Sequence, residues 1–441
     1  MKLPSIPGFQ HEAFQKYLKN TGWIILGKAL SIVIALIIIR YLGPKSFGEL
    51  SFAEAFVSFF SAVGALGLDS FIIREIINEP EKKDEILGTS FWLRFTFNLV
   101  IIPVSVICYL IFRDTAPNTN SFVVPLLIAL LATASIFKSF NIIDSYYQSQ
   151  VESKYVVQVQ NICLLLSAGI KVGLVVLKAS VIFFAIAVVF DGLLLALGLV
   201  LLYHKKGLSV FTWKYDKERA LLLLKQSWPL IFSAVMVSLY MKIDVVMLKS
   251  IRGSKEVGVY NAAAKISEAW YFIPTAIITS VFPAILNARK SDYNRYIKRL
   301  QNLYDLLVAI SLPVALVISF SADFIIHLAF GDRFQGAGTM LSIHIWSGIF
   351  VFLGIASSQY LLTEGLTRTS FLRTSVGAVV NIILNLWLIP KYGGVGASWA
   401  TLAAYFIATF SLAFHKKSLP QMVMMLKSLF LISFIQKILN R

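Results

Sequence analysis

The sequence predicts an all-α polytopic membrane protein, with about twelve transmembrane helices in two six-helix bundles related by a pseudo-twofold axis. Three observations carry that prediction. The 441 residues are 57% hydrophobic and only 14% charged, whereas soluble domains run near 45–50% apolar and about 25% charged. Twelve crossings of about 20 residues each would take about 240 residues, which nearly exhausts the hydrophobic complement and leaves no separate aqueous domain. The chain also repeats itself weakly at a shift of 210 residues.

Apolar windows of about 19 residues place the spans in order. The first bundle, 21–203, holds spans at 21–39, 47–67, 89–112, 121–140, 157–177 and 180–203. A basic linker, 204–220, follows. The second bundle, 221–414, holds spans at 226–248, 257–286, 303–320, 339–362, 374–390 and 393–414. Before them, residues 1–20 alternate Phe9, Phe14, Tyr17 and Leu18 with Gln10, Gln15, Lys16 and Lys19, the pattern of an interfacial helix. The tail, 415–441, is apolar between Lys427 and Lys437 and reads as a basic amphipathic segment. The first twenty residues are polar and no small-residue cleavage site follows the apolar run from Thr21, so no cleavable signal peptide is expected.

The 40 Lys and Arg against 23 Asp and Glu give a net charge of +17. In a soluble protein that excess would point to nucleic acid. Here the basic residues sort by side. Counting Lys138 with the loop it adjoins, 26 fall on alternate connections together with both termini, 9 on the opposite connections, and 5 within spans. Positive charge is retained on the cytoplasmic side, so both termini are expected to be cytoplasmic, and no nucleic-acid partner is expected. Cys108 and Cys163 both lie in apolar runs, which excludes a disulfide framework.

In the repeat, Lys45, Phe47 and Gly48 fall on Lys255, Val257 and Gly258, and a second match sets Asn161, Lys171 and Gly173 on Asn381, Lys391 and Gly393. Six spans per half start both halves on the same side, which makes the repeat parallel, about an axis along the membrane normal. Two such bundles would leave a cleft between them.

Motifs for covalent chemistry are missing. Gly22-Trp23-Ile24-Ile25-Leu26-Gly27-Lys28-Ala29 matches a phosphate-binding loop except at its last position, which needs Ser or Thr. The five histidines have no helical ligand spacing. No enzyme, metal site or cofactor is expected. The informative residues are charges inside spans, which are costly and face a wet cavity or a partner. Four are basic candidates for binding an anionic substrate: Lys28, Lys265, Lys242 and Arg94. Four are acidic candidates for coupling to an ion: Asp244, Glu268, Glu54 and Asp191. The bland alternative is neutralising pairs, Lys265 with Glu268 at i+3 and Lys242 with Asp244 through another helix.

Several stretches resemble a known family. Tyr17-Leu18-Lys19-Asn20-Thr21-Gly22-Trp23, then Arg40-Tyr41-Leu42-Gly43-Pro44-Lys45-Ser46-Phe47-Gly48, are similar to the opening of Wzx-type polysaccharide flippases, of the multidrug/oligosaccharidyl-lipid/polysaccharide (MOP) exporter superfamily. Leu66-Gly67-Leu68-Asp69 with Arg74-Glu75, Val257 to Ala263, Phe330-Gly331-Asp332, and Asn381-Ile382-Ile383-Leu384-Asn385 through Gly393 to Ala397 continue the likeness along the chain. The resemblance implies a V-shaped, MATE-like pair of bundles working by alternating access in a prokaryotic cell membrane. It implies a substrate: undecaprenyl-pyrophosphate-linked oligosaccharide repeat units of an O-antigen or similar polysaccharide, moved from the inner to the outer leaflet. Lys28 and Lys265 fall where the superfamily's lipid flippases place basic cavity residues, whereas in span two this chain offers Glu54. Exchange against H⁺ or Na⁺, contact with polysaccharide polymerase or assembly proteins, and a monomeric state complete the expectation. A cation-coupled small-molecule exporter of the same superfamily is the competing expectation.

Overall fold

The computed structural model describes residues 11–112, 122–414 and 416–439, and every regular element among them is helical. Helices satisfy their own backbone groups, the condition for crossing a hydrocarbon layer. Seventeen α-helices follow in order: α1 (His11–Gly64), α2 (Asp69–Asn78), α3 (Lys83–Phe112), α4 (Val123–Phe137), α5 (Ile142–Ser149), α6 (Lys154–Val176), α7 (Val181–Lys205), α8 (Lys217–Arg252), α9 (Ser254–Glu268), α10 (Phe272–Ser291), α11 (Tyr293–Phe320), α12 (Ala322–Phe330), α13 (Ala337–His344), α14 (Ser347–Thr363), α15 (Thr367–Phe410), α16 (Leu419–Leu429) and α17 (Ile432–Leu439). Nine stretches among the described residues are long and apolar enough to cross a membrane. Two of them, in α1 and α15, each contain two predicted spans, broken at Gly43 (φ 70°, ψ 174°) and Gly393 (φ 56°, ψ −134°). Left-handed φ carries little penalty only for glycine. The eighth predicted span is α9 followed by α10, interrupted at Ala269–Tyr271. The predicted leader at 1–20 lies outside the described residues up to residue 10, and from His11 the backbone continues α1. The predicted outer loop at 113–120 also lies outside them.

The chain forms two compact units, and their boundaries depart from the predicted ones. The first comprises the chain up to Tyr41 together with Phe60–Ile231; the second comprises Leu42–Phe59 together with Phe232–Arg441.

In the first unit the core gathers Leu66, Leu68, Ile72, Ile76, Ile86, Ile142, Ile143 and Tyr147. The predicted linker is folded into this unit. Arg219 reaches Glu85 at 2.7 Å, Glu79 at 2.8 Å and Glu75 at 3.3 Å. The Lys214 amide donates to the Asp84 carbonyl at 3.1 Å, and the Asp216 amide to Thr89 Oγ1 at 2.9 Å. Trp213 lies 5.4 Å from the ring of Phe91 and 5.9 Å from that of Tyr203. Three carboxylates around one guanidinium, with an aromatic anchor, leave this segment no freedom as a tether.

Leu42–Phe59 joins the second unit because of a glycine crossing. A methyl group on Gly48 would collide with the Ser254 carbonyl, and one on Gly258 with the Pro44 carbonyl. Each contact is the image of the other under the 210-residue shift, since Pro44 maps to Ser254 and Gly48 to Gly258. Gly43 maps to Gly253, whose backbone (φ 85°, ψ 177°) repeats that of Gly43. The repeat read from a handful of residues is thus present as backbone geometry.

The tail is held on the second unit. On α16, Gln421 donates to Tyr304 Oη at 2.8 Å and to the Ser357 carbonyl at 3.2 Å, and Ser428 donates to Asp305 at 2.6 Å. Met424 and Met425 are buried with them. The segment predicted as amphipathic therefore uses one face to cover α11.

Candidate functional site

The polar interior of the second unit is built on α8, α9, α13 and α15. Residues Val257 to Ala264 of α9 are all buried, and four of them are Gly or Ala, which admits neighbouring helices close enough for short polar side chains to meet. Asp244 of α8, 5% exposed, accepts a hydrogen bond from Tyr260 Oη of α9 and one at 3.4 Å from Thr401 Oγ1 of α15. Lys242, two residues earlier and so on another face, pairs with Glu268 at 3.7 Å. Ser267 meets His344 Nδ1 of α13 at 2.9 Å, and Tyr271 meets Ser347 at 3.1 Å.

This redistributes the predicted pairs. Lys265 and Glu268 share a face at i+3, yet Glu268 turns to Lys242, and Lys265 is half-buried without an acidic partner among the described residues. Glu268, Asp244 and Glu54 all act electrostatically on Lys242. Three of the four predicted acids thus lie within electrostatic reach of Lys242, and Glu268 pairs with it. Glu54 is itself exposed.

The remaining candidates lie in the first unit. Lys28 is exposed on α1, without an ion pair among the described residues. Arg94, 4% exposed, is committed to Asp69 at 2.8 Å. Asn98 donates to the Arg94 carbonyl at 2.8 Å and Ser145 to Asp69 at 3.3 Å. Arg94 thus ties α3 to the start of α2. Asp191 of α7 pairs with Lys171 of α6 at 2.5 Å.

Sequence reasoning missed one charged residue. Arg373 stands just before a predicted span and reads as a loop cation, but α15 begins at Thr367, which puts Arg373 nearly two turns inside a helix and 9% exposed. It borders a cavity of about 290 Å³ also lined by Tyr240, Tyr271, Phe350, Ser358 and Tyr405. Nothing in the local pattern marks it, because the helix start carries no side-chain cap. Among the described residues no group of three or more His, Cys, Asp or Glu could hold a metal ion.

The fold identifies the class. It is similar to a lipid II flippase MurJ in an inward closed conformation, with a TM-score of 0.73 at 16% identity over 95% of this chain and 92% of that one. An inward-facing multidrug resistance MATE family transporter of the MOP superfamily gives a TM-score of 0.68 at 16% identity, over 93% and 96%. Those transporters have a fold of two six-helix lobes, and this chain, a multi-pass membrane protein, shares that fold.

The family follows from the sequence match: a model described as polysaccharide biosynthesis protein matches residues 17–289, well over half of the chain, and the chain belongs to that family. A second model, MatE, matches residues 229–387. Among curated relatives, the probable flippase AglR of Haloferax volcanii is 27% identical over 166 residues, 37% of this chain and 35% of the relative. The probable low-salt glycan biosynthesis flippase Agl15 of the same organism is 26% identical over 175 residues, 38% of this chain and 36% of the relative. The match spans little more than a third of the length of either.

Proposed function

We propose that the protein is a flippase that moves undecaprenyl-pyrophosphate-linked oligosaccharide repeat units from the inner to the outer leaflet by alternating access. A sugar head group and a pyrophosphate are both too costly to expose to hydrocarbon, so a protein must shield them while the lipid tail stays in the bilayer. The observation that carries the reading is Lys265: a half-buried ammonium inside a membrane unit without an acidic partner among the described residues, available to an anion by charge-assisted hydrogen bonds. Lys28, exposed on α1 and also without an ion pair among the described residues, is the second candidate cation. The match to the polysaccharide biosynthesis family and the likeness to flippases support the same substrate class.

Driving force comes from exchange against H⁺ or Na⁺. Asp244, with its two hydroxyl neighbours, is the coupling carboxylate, and Glu268 and Glu54 complete the acidic set. Both termini are cytoplasmic, the membrane is a prokaryotic plasma membrane, and the working unit is a monomer that hands its product to polysaccharide polymerase or assembly proteins. The role is transport, with no bond made or broken.

Reconstitution into liposomes tests this. Accessibility of a lipid-pyrophosphate oligosaccharide to an outside glycosidase measures flipping by the wild type, Lys28→Ala and Lys265→Ala, after equal insertion is confirmed. Flipping by the wild type and at least a tenfold loss in each variant is the expected result; variants that match the wild type would remove the pyrophosphate from these lysines. A second reading, a cation-coupled exporter of small molecules, is favoured by the carboxylates around Lys242 and by the MatE match over 229–387. It predicts gradient-driven efflux of a cationic dye with no glycolipid movement.

A further inference from the structure

The cavity in the second unit is bordered by α8, α14 and α15. Its one charged lining residue is Arg373. Nη1 donates to Ser357 Oγ at 2.8 Å, and Nη2 donates to Ser358 Oγ at 2.8 Å and to the Gly354 carbonyl at 3.2 Å. All three acceptors are neutral oxygens on one face of α14. A guanidinium has five N–H donors, so Nε–H and one Nη1 hydrogen are left over. No carboxylate pairs with this guanidinium among the described residues, although other arginines, such as Arg94 and Arg219, are paired with carboxylates.

A purely structural tie between α15 and α14 does not require this. Burying a charge without a counter-ion is costly, and hydrogen bonds to three neutral oxygens leave the net charge uncompensated. Nor does the side chain snorkel to a membrane surface, because it is buried against α14. Among the described residues no anion balances the charge, which leaves the free N–H groups open to an anion from outside the chain.

The rest of the lining says what carries that anion. Tyr240 and Tyr405 stand with ring centroids 4.5 Å apart, and neither hydroxyl has a protein partner among the described residues. Aromatic rings with free hydroxyls offer an apolar face and a polar edge together, the combination that suits the C–H face and hydroxyl rim of a sugar. About 290 Å³ sits at the lower edge of ligand-pocket sizes: room for one sugar ring, not for an oligosaccharide.

We propose that this cavity is a subsite for a single carboxylate-bearing sugar ring, with Arg373 meeting the carboxylate and Tyr240 and Tyr405 meeting the ring. The proposal rests on the flippase reading for the source of that sugar, the carried glycan. An oxyanion could also come from phosphate, and the test separates the two.

Saturation-transfer NMR on the full-length chain in detergent would use three probes: methyl β-glucuronide, methyl β-glucoside and inorganic phosphate as competitor. We expect transfer to the glucuronide ring protons, an affinity at least tenfold above that of the glucoside, and loss of that preference in Arg373→Gln. Arg373→Lys should keep part of the preference. Tyr405→Phe, which leaves packing intact, should weaken both sugars about threefold and serves if Arg373→Gln does not fold. Equal binding of the two sugars, a preference unchanged by Arg373→Gln, or affinities for both sugars unchanged by Tyr405→Phe, would overturn the proposal. Phosphate displacing glucuronide at lower concentration than glucuronide itself binds would also overturn it, by assigning Arg373 to phosphate. Flipping of a neutral lipid-linked glycan by the wild type, with no glucuronide binding, would sink the subsite and leave the flippase reading standing. Arg373-dependent glucuronide binding without any flipping would do the reverse.

Discussion

Arg94 and Lys265 show how far a charge inside a predicted span can be interpreted from sequence. Both read as cations in an apolar run, and the run alone cannot distinguish them. The difference lies in what folds opposite: Asp69, 25 residues away, neutralises Arg94, while Glu268, three residues from Lys265, is drawn to Lys242 on another helix. Helical spacing names the neighbours on one helix and is silent about partners across helices. Arg373 was invisible for a related reason, since the helix extends past the apolar window that defined it. The pair at Arg94 carries a prediction. Asp69→Asn leaves a buried guanidinium without its carboxylate, which costs about 1–3 kcal/mol, toward the lower end because Asp69 is 62% exposed. The thermal midpoint of the purified protein should fall by several degrees. An unchanged midpoint would mean that Arg94 is satisfied by the oxygens nearby.

Among the elements, the helices were legible because hydropathy sets them, and the breaks were less so. The sequence divided α1 and α15 into two spans each, and the structure does the same with a single glycine in each. The path of the linker was not legible: Glu75 and Glu79 at the end of α2 and Glu85 in α3 converge on Arg219 only in three dimensions. The hydrogen bond from Arg219 holds the Glu79 carboxyl below its ordinary value of 4.5, with Lys82 adding to the effect. A depressed carboxyl contributes to docking above the unfolded value, and the contribution disappears as pH falls through the lower folded value. Acidification below about pH 4 should therefore loosen the linker. Glu79→Gln removes the charge at any pH, and trypsin should cut this variant after Lys214 or Lys217 faster than the wild type at pH 7.5; equal rates would show that Glu75 and Glu85 suffice. The glycine crossing makes a second prediction at this scale. Gly48→Leu or Gly258→Leu forces the 44–59 helix off α9, and such overpacking costs about 1–3 kcal/mol or more. Each variant should lose folded yield and melt earlier, whereas Gly173→Leu, where a side chain meets open space, should behave as the wild type.

For the whole molecule, fold class and family were within reach of composition, spacing and a few ordered motifs, because bilayer physics restricts the options to very few. The distribution of charge was not, since it depends on which helices meet. The coupling prediction belongs here. If Asp244 binds and releases the driving ion, Asp244→Asn should flip glycolipid down its own gradient yet ignore an imposed H⁺ or Na⁺ gradient. Gradient-dependent accumulation that survives the substitution would move coupling to Glu268 or Glu54.

At Gly48 and Gly258 the contact is reciprocal. Two identical subunits around a twofold axis touch as this single chain touches itself, residue i on j and j on i. Backbone equivalence there does not extend to the side chains. Under the same shift Lys265 corresponds to Ala55, Glu268 to Ser58 and Glu54 to Ala264. The backbone keeps its symmetry at this crossing while the charges of the two halves differ.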